Sequence, residues 1–80
     1  MGEELVGSDE LRESLPYGIV KEITQVFGYK NQSYVSDIIK GEKKGNLKII
    51  KCAAEIADIY KQSGFETGKK KILESYANIN

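Results

Sequence analysis

Eighty residues suffice for one small domain, which buries only about 60% of its unfolded surface and leaves little volume for a deep active-site cleft beside a core. Apolar residues at 40% and charged ones at 30% exclude intrinsic disorder, and the lack of histidine with a single thiol, Cys52, excludes an internal disulfide and disfavours a metal site. Net charge is zero, and the acidic start Met1-Gly2-Glu3-Glu4 is followed by no apolar run of signal or membrane-spanning length, so the chain reads as cytoplasmic with no membrane partner.

The first predicted helix runs from Glu10 to about Leu15, capped by Ser8 or Asp9, with Leu11 and Leu15 on one side. Pro16 ends it, because the residue before a proline is pushed out of the α region, and Pro16-Tyr17-Gly18 reads as a turn. A second helix spans about Ile19 to Phe27: Ile19, Ile23, Val26 and Phe27 recur on one helical face, and Gly28 stops it. After a short link, Val35, Ile38 and Ile39 mark a third helix with Asn31 or Ser33 as its cap and Lys40-Gly41 as its exit. Gly41-Glu42-Lys43-Lys44-Gly45 is a polar loop bounded by glycines.

The fourth helix starts at an Asn46 cap and reaches about Lys61. Lys48, Lys51, Glu55, Asp58 and Gln62 form one narrow polar stripe on an otherwise apolar helix that includes Leu47, Ile49, Cys52, Ile56 and Tyr60. Such a helix must be covered on more than one side, which makes it the centre of the core. Ser63-Gly64-Phe65 reads as a break, and Thr67 caps a last helix to about Ala77 with Ile72, Leu73 and Tyr76 inward. Lys69, Lys70 and Lys71 open that helix at the end its dipole disfavours for cations. No segment alternates with period two, so the fold class is all-α: one compact domain over residues 1–80, a bundle of about five short helices containing a helix-turn-helix at 19–41, with the helix at 67–77 as a possible assembly element.

Charge is unevenly placed. Residues 1–20 carry Arg12 against five acids, whereas residues 21–51 carry seven lysines against Glu22, Asp37 and Glu42. The basic third coincides with the helix-glycine-helix stretch, an arrangement that lets one helix lie across a DNA backbone while the next enters the major groove. By itself a run of lysines is a solvated face; with that pattern it favours DNA.

Ile19-Val20-Lys21-Glu22-Ile23-Thr24-Gln25-Val26-Phe27-Gly28-Tyr29, followed by Tyr34-Val35-Ser36-Asp37-Ile38-Ile39-Lys40-Gly41, resembles phage-repressor-like, Cro-type helix-turn-helix proteins of bacteria and phages. The Leu15-Pro16-Tyr17-Gly18 lead-in and the lysine-rich passage from Gly41 to Ala54 extend the likeness to roughly residues 11–60. Two departures stand out. Thr24 occupies a crowded position that the family usually gives to alanine, so its hydroxyl needs a partner such as a carbonyl one turn back. The link from Gly28 to Val35 is also one residue longer than usual.

The resemblance implies a lambda-repressor-like fold and a sequence-specific, repressor-like regulator of transcription. Its base-reading candidates are Asn31, Gln32, Ser33, Ser36 and Asp37, and its phosphate-contacting candidates are Lys21, Lys30, Tyr34, Lys40, Lys43, Lys44 and Lys48. Amide side chains suit adenine and serine suits several bases, whereas Asp37 accepts from cytosine and repels phosphate. Tyr17 and Tyr29 read as core or rim residues rather than as stacking platforms. The expected partner is double-stranded DNA, with a homodimer through the fourth or last helix to span two half-sites; no cofactor is implied.

Other readings rest on less. Cys52 is a small apolar residue with no activating neighbour, and Gly64 to Lys70 lacks the spacing of a phosphate-binding loop. Asn31-Gln32-Ser33 matches a glycosylation sequon by chance. The carboxylates show no pairing suited to acid–base catalysis, so an enzyme ranks last. The alternative is a helical protein-interaction module that keeps the fold without DNA, which the zero net charge and Asp37 favour. A third idea has the acidic arm of residues 3–13 competing with phosphate for the lysine patch.

Overall fold

A computed structural model describes residues 7–61 and 64–77. It contains α1 (Asp9–Glu13), α2 (Ile19–Val26), α3 (Gln32–Lys40), α4 (Leu47–Tyr60) and α5 (Phe65–Ala77), with no strand among the described residues. The arm residues Glu3 and Glu4, the stripe position Gln62 and the expected break at Ser63 lie outside the described residues. The chain forms an all-α bundle whose radius of gyration is 11.8 Å, close to the roughly 12 Å of a packed domain of this length.

The helices start where side chains can cap them. Ser8, not Asp9, accepts the Leu11 N–H at 3.0 Å and opens α1. That helix is shorter than its apolar spacing predicts, because Ser14 folds back with its hydroxyl on the Leu11 carbonyl at 2.7 Å. Leu15 lies beyond the helix yet is buried. Asn31, not Ser33, caps α3 by accepting from the N–H groups of Ser33 and Tyr34, and Asn46 caps α4. Gly28 ends α2 in the left-handed region, with Gly28 N–H bonded to Gln25 and Tyr29 N–H to Thr24.

Ile19, Ile23, Val35, Ile38, Ile39, Ile49, Cys52 and Ile56 are fully buried, so α2, α3 and α4 meet in one apolar centre. α4 is covered on more than one side, mainly by α5 and also by α3 and α1. Thr24 is buried among them, and its hydroxyl donates to the Val20 carbonyl at 2.7 Å, one turn back. α5 begins at Phe65 rather than with a Thr67 cap. The Phe65 ring packs edge-on against Tyr60, 5.1 Å between centroids, and the Gly68 N–H bonds the Gly64 carbonyl at 3.1 Å at the start of this helix. Lys69, at the end that disfavours a cation, is held by Glu22 at 3.2 Å and Glu66 at 3.3 Å. Burial works against its charge, but those two carboxylates outweigh it and raise its pKa.

Candidate nucleic-acid interface

Burying Val35, Ile38 and Ile39 fixes how α3 is rotated. Gln32, Ser33, Ser36, Asp37 and Lys40 then fall along its opposite side, at the i, i+1, i+4, i+5 and i+8 positions of one helical face. Gln32 and Ser33, in the first turn, are exposed, while Ser36, Asp37 and Lys40 are half-buried.

The candidate base readers are therefore not equivalent. Asn31 spends its side-chain oxygen on the two N–H groups it caps, at 2.9 and 3.3 Å. Pairing in bidentate fashion with adenine needs that oxygen as an acceptor, so Asn31 serves the helix start first. Ser36 Oγ accepts from Arg12 Nε at 3.0 Å, a bond that ties α1 to α3 across 24 positions of sequence. Asp37 Oδ2 lies 3.7 Å from Lys43 Nζ. Its backbone carbonyl receives the N–H of Glu42 at 2.9 Å, which anchors the start of the lysine loop.

Cations surround this face unequally. Lys21 is exposed on α2, Lys30 on the link before α3, and Lys43 and Lys44 on the loop after it. Lys43 Nζ also sits over the Tyr34 ring, 5.6 Å from its centroid, and Tyr34 in turn packs on Tyr29 at 5.7 Å. Lys40 ends α3, where its charge suits the helix dipole. Lys48 is exposed in the first turn of α4 and lines neither the cleft that holds Lys43 and Lys44 nor the one that holds Lys21.

Two residues enter that sequence reasoning missed. Arg12, Tyr17, Lys21 and Gln32 line one cleft at the meeting of α1, the α1–α2 turn, α2 and the start of α3. Tyr17, expected in the core or at its rim, is fully exposed. The Pro16-Tyr17-Gly18 turn buries its neighbours Leu15 and Ile19 and leaves Tyr17 pointing outward. Gly18 also leaves α2 without a side-chain cap, so backbone donors at this cleft lack a side-chain acceptor. The bond from Arg12 to Ser36 had no local signal, since only tertiary packing brings the two together.

Burial, with a smaller push from Glu55, raises the Cys52 thiol to about 12, which keeps it protonated. Among the described residues no three His, Cys, Asp or Glu side chains could share a metal, and no helix is long and apolar enough to cross a membrane. Comparison of the chain with family models, with curated proteins and with solved structures gives no match.

Proposed function

We propose that the chain is a sequence-specific double-stranded DNA-binding protein of the helix-turn-helix type, a repressor-like transcriptional regulator that works without catalysis in the cytoplasm. In this reading α3 enters the major groove and α2 lies across the backbone. The observation that carries it is the α3 outer face, polar along its length and flanked by Lys21, Lys30, Lys43 and Lys44 while the inner face is fully buried. Gln32 and Ser33 read base edges from the first turn, and Arg12, Tyr17 and Lys21 hold a phosphate against the uncapped start of α2. α4 keeps Tyr60 exposed for a homodimer, whereas Leu73 and Tyr76 of α5 are already buried within the chain.

Anisotropy of a fluorescent mixed-sequence duplex across a salt series tests this. Neutralising roughly 3–6 phosphates per subunit gives a log–log slope of about −3 to −5. Absence of binding at low salt would refute the proposal. It would favour the second reading, a protein-interaction module, for which the Asp37–Lys43 pair on the same face is the supporting observation.

A further inference from the structure

Glycines at 41 and 45 bracket the lysine loop, and both draw it against neighbouring chain. A Cβ on Gly41 would strike the backbone of Gly7, and a Cβ on Gly45 would strike the Ile38 side chain. Between them the Glu42 N–H bonds the Asp37 carbonyl at 2.9 Å, which fixes the start of the loop on α3. The loop, the end of α3 and the start of α4 thereby enclose a cleft that Gly7, Gly41 and Gly45 line without filling.

The side chains that do line it are of two kinds. Ile38 and Ile50 form a buried apolar base, and Leu47 stands beside them with 60% of its surface exposed. Lys43 and Lys44 supply the charge, and among the described residues no carboxylate lines the cleft. Lys43 is already shared with Asp37 and the Tyr34 ring, whereas Lys44 has no ion-pair partner among the described residues. An exposed leucine gains by contact with a hydrocarbon chain, and an unanswered ammonium group attracts an anion. Side by side, the two select a ligand that carries both.

We propose that this cleft binds a small aliphatic carboxylate, with its chain along Leu47 and Ile50 and its charged end at Lys44 beside Lys43. The site stands on the lining of the cleft alone. Its consequence rests on the proposed DNA function: a carboxylate at Lys44 competes with phosphate, so the ligand loosens DNA.

Sodium octanoate, added below its micellar range to the 15N-labelled full chain, tests the site. Amides from Lys43 to Ile50 should shift and saturate. Sodium acetate at equal ionic strength brings the anion without the chain, and octylammonium the chain without the anion; neither should saturate those amides. Hexanoate should bind more weakly, by up to about fourfold for each methylene removed. Leu47→Ser should weaken octanoate about fivefold or more, and Lys44→Gln about two- to fivefold. Both side chains are exposed, so the fold is retained. Absence of saturation, an equal response to acetate or octylammonium, or saturation confined to amides outside the cleft overturns the proposal. In the duplex assay octanoate at about ten times its dissociation constant should weaken wild-type binding by up to about tenfold, and Leu47→Ser binding by less. A saturated cleft with unchanged duplex affinity overturns the competition. If the chain binds no duplex, the amide titration still decides the site and the DNA reading fails separately.

Discussion

Lys43 and Lys44 are adjacent in sequence but differ in surroundings, and under the proposed function that difference should give them unequal effects on DNA binding. Lys44 is exposed, with no ion-pair partner among the described residues. Lys43 shares its charge with Asp37 at 3.7 Å and with the Tyr34 ring. A lysine that neutralises one phosphate contributes about 0.9 to the log–log salt slope, so Lys44→Gln should flatten the slope by about that amount. Lys43→Gln should flatten it less, because part of its charge is already answered. Asp37→Asn should act in the opposite direction. Two unit charges about 4 Å apart at a wet surface interact by about 1 kcal/mol, so releasing Lys43 strengthens low-salt binding about fivefold. All three side chains lie outside the core, and circular dichroism should show an unchanged fold. The assay is the anisotropy titration on a mixed-sequence duplex, which removes base recognition from the comparison. Equal slopes for all four chains, or weaker binding by Asp37→Asn, would refute this assignment of charges.

Alkali should destabilise the protein through Cys52. Its thiol sits at about 12 in the fold against the usual 9.0, mainly through burial, so its stabilisation is complete below pH 9 and is lost as pH rises toward 12. Three pKa units correspond to about 4 kcal/mol, with about 1 kcal/mol lost between pH 9 and 10. Urea unfolding at stepped pH should show that slope in the wild type and little of it in Cys52→Ala; parallel curves would contradict it. Tyr76, raised to about 12 by burial first and Glu55 second, adds its own loss from pH 10 in both chains. Thr24→Val should cost less than about 1 kcal/mol by the same unfolding assay, since the Val20 carbonyl retains its place in the helix and no buried polar atom is stranded. A loss above 2 kcal/mol would mean that the hydroxyl holds more than a helical carbonyl.

Much of the bundle was legible because its signals are local. Isoleucine and valine spacing on α2, α3 and α4 dictated which faces are buried, and Asn46 and Gly28 marked ends through bonds to residues a few positions away. Even the Thr24 hydroxyl followed from the helix it sits in. What sequence reasoning missed depends on packing geometry that no periodic pattern or cap residue announces. α5 starts at Phe65, whose ring packs on Tyr60, two residues before the expected Thr67 cap. The outward direction of Tyr17 follows from burying Leu15 and Ile19 on either side of a rigid turn. The Gly7–Gly41 approach left no periodic trace, because two backbones make it.

The same distinction bears on how α3 can read a base sequence. Sequence reasoning offers five base-reading candidates, but the structure engages three of them: Asn31 with its cap, Ser36 with Arg12, and Asp37 with Lys43. Gln32 and Ser33 remain exposed without side-chain partners among the described residues, and both lie in the first turn of α3. A helix that meets the groove with its N-terminal turn brings those two to base edges first, whereas residues farther along must exchange an existing contact for a new one. For Ser36 that exchange frees the Arg12 guanidinium, which already lines the cleft beside Lys21 and Gln32. Under the proposed DNA function, base contact by Ser36 and phosphate contact by Arg12 would be coupled by one 3.0 Å bond. Arg12→Ala should then change discrimination at the Ser36 position from 24 positions earlier in the chain.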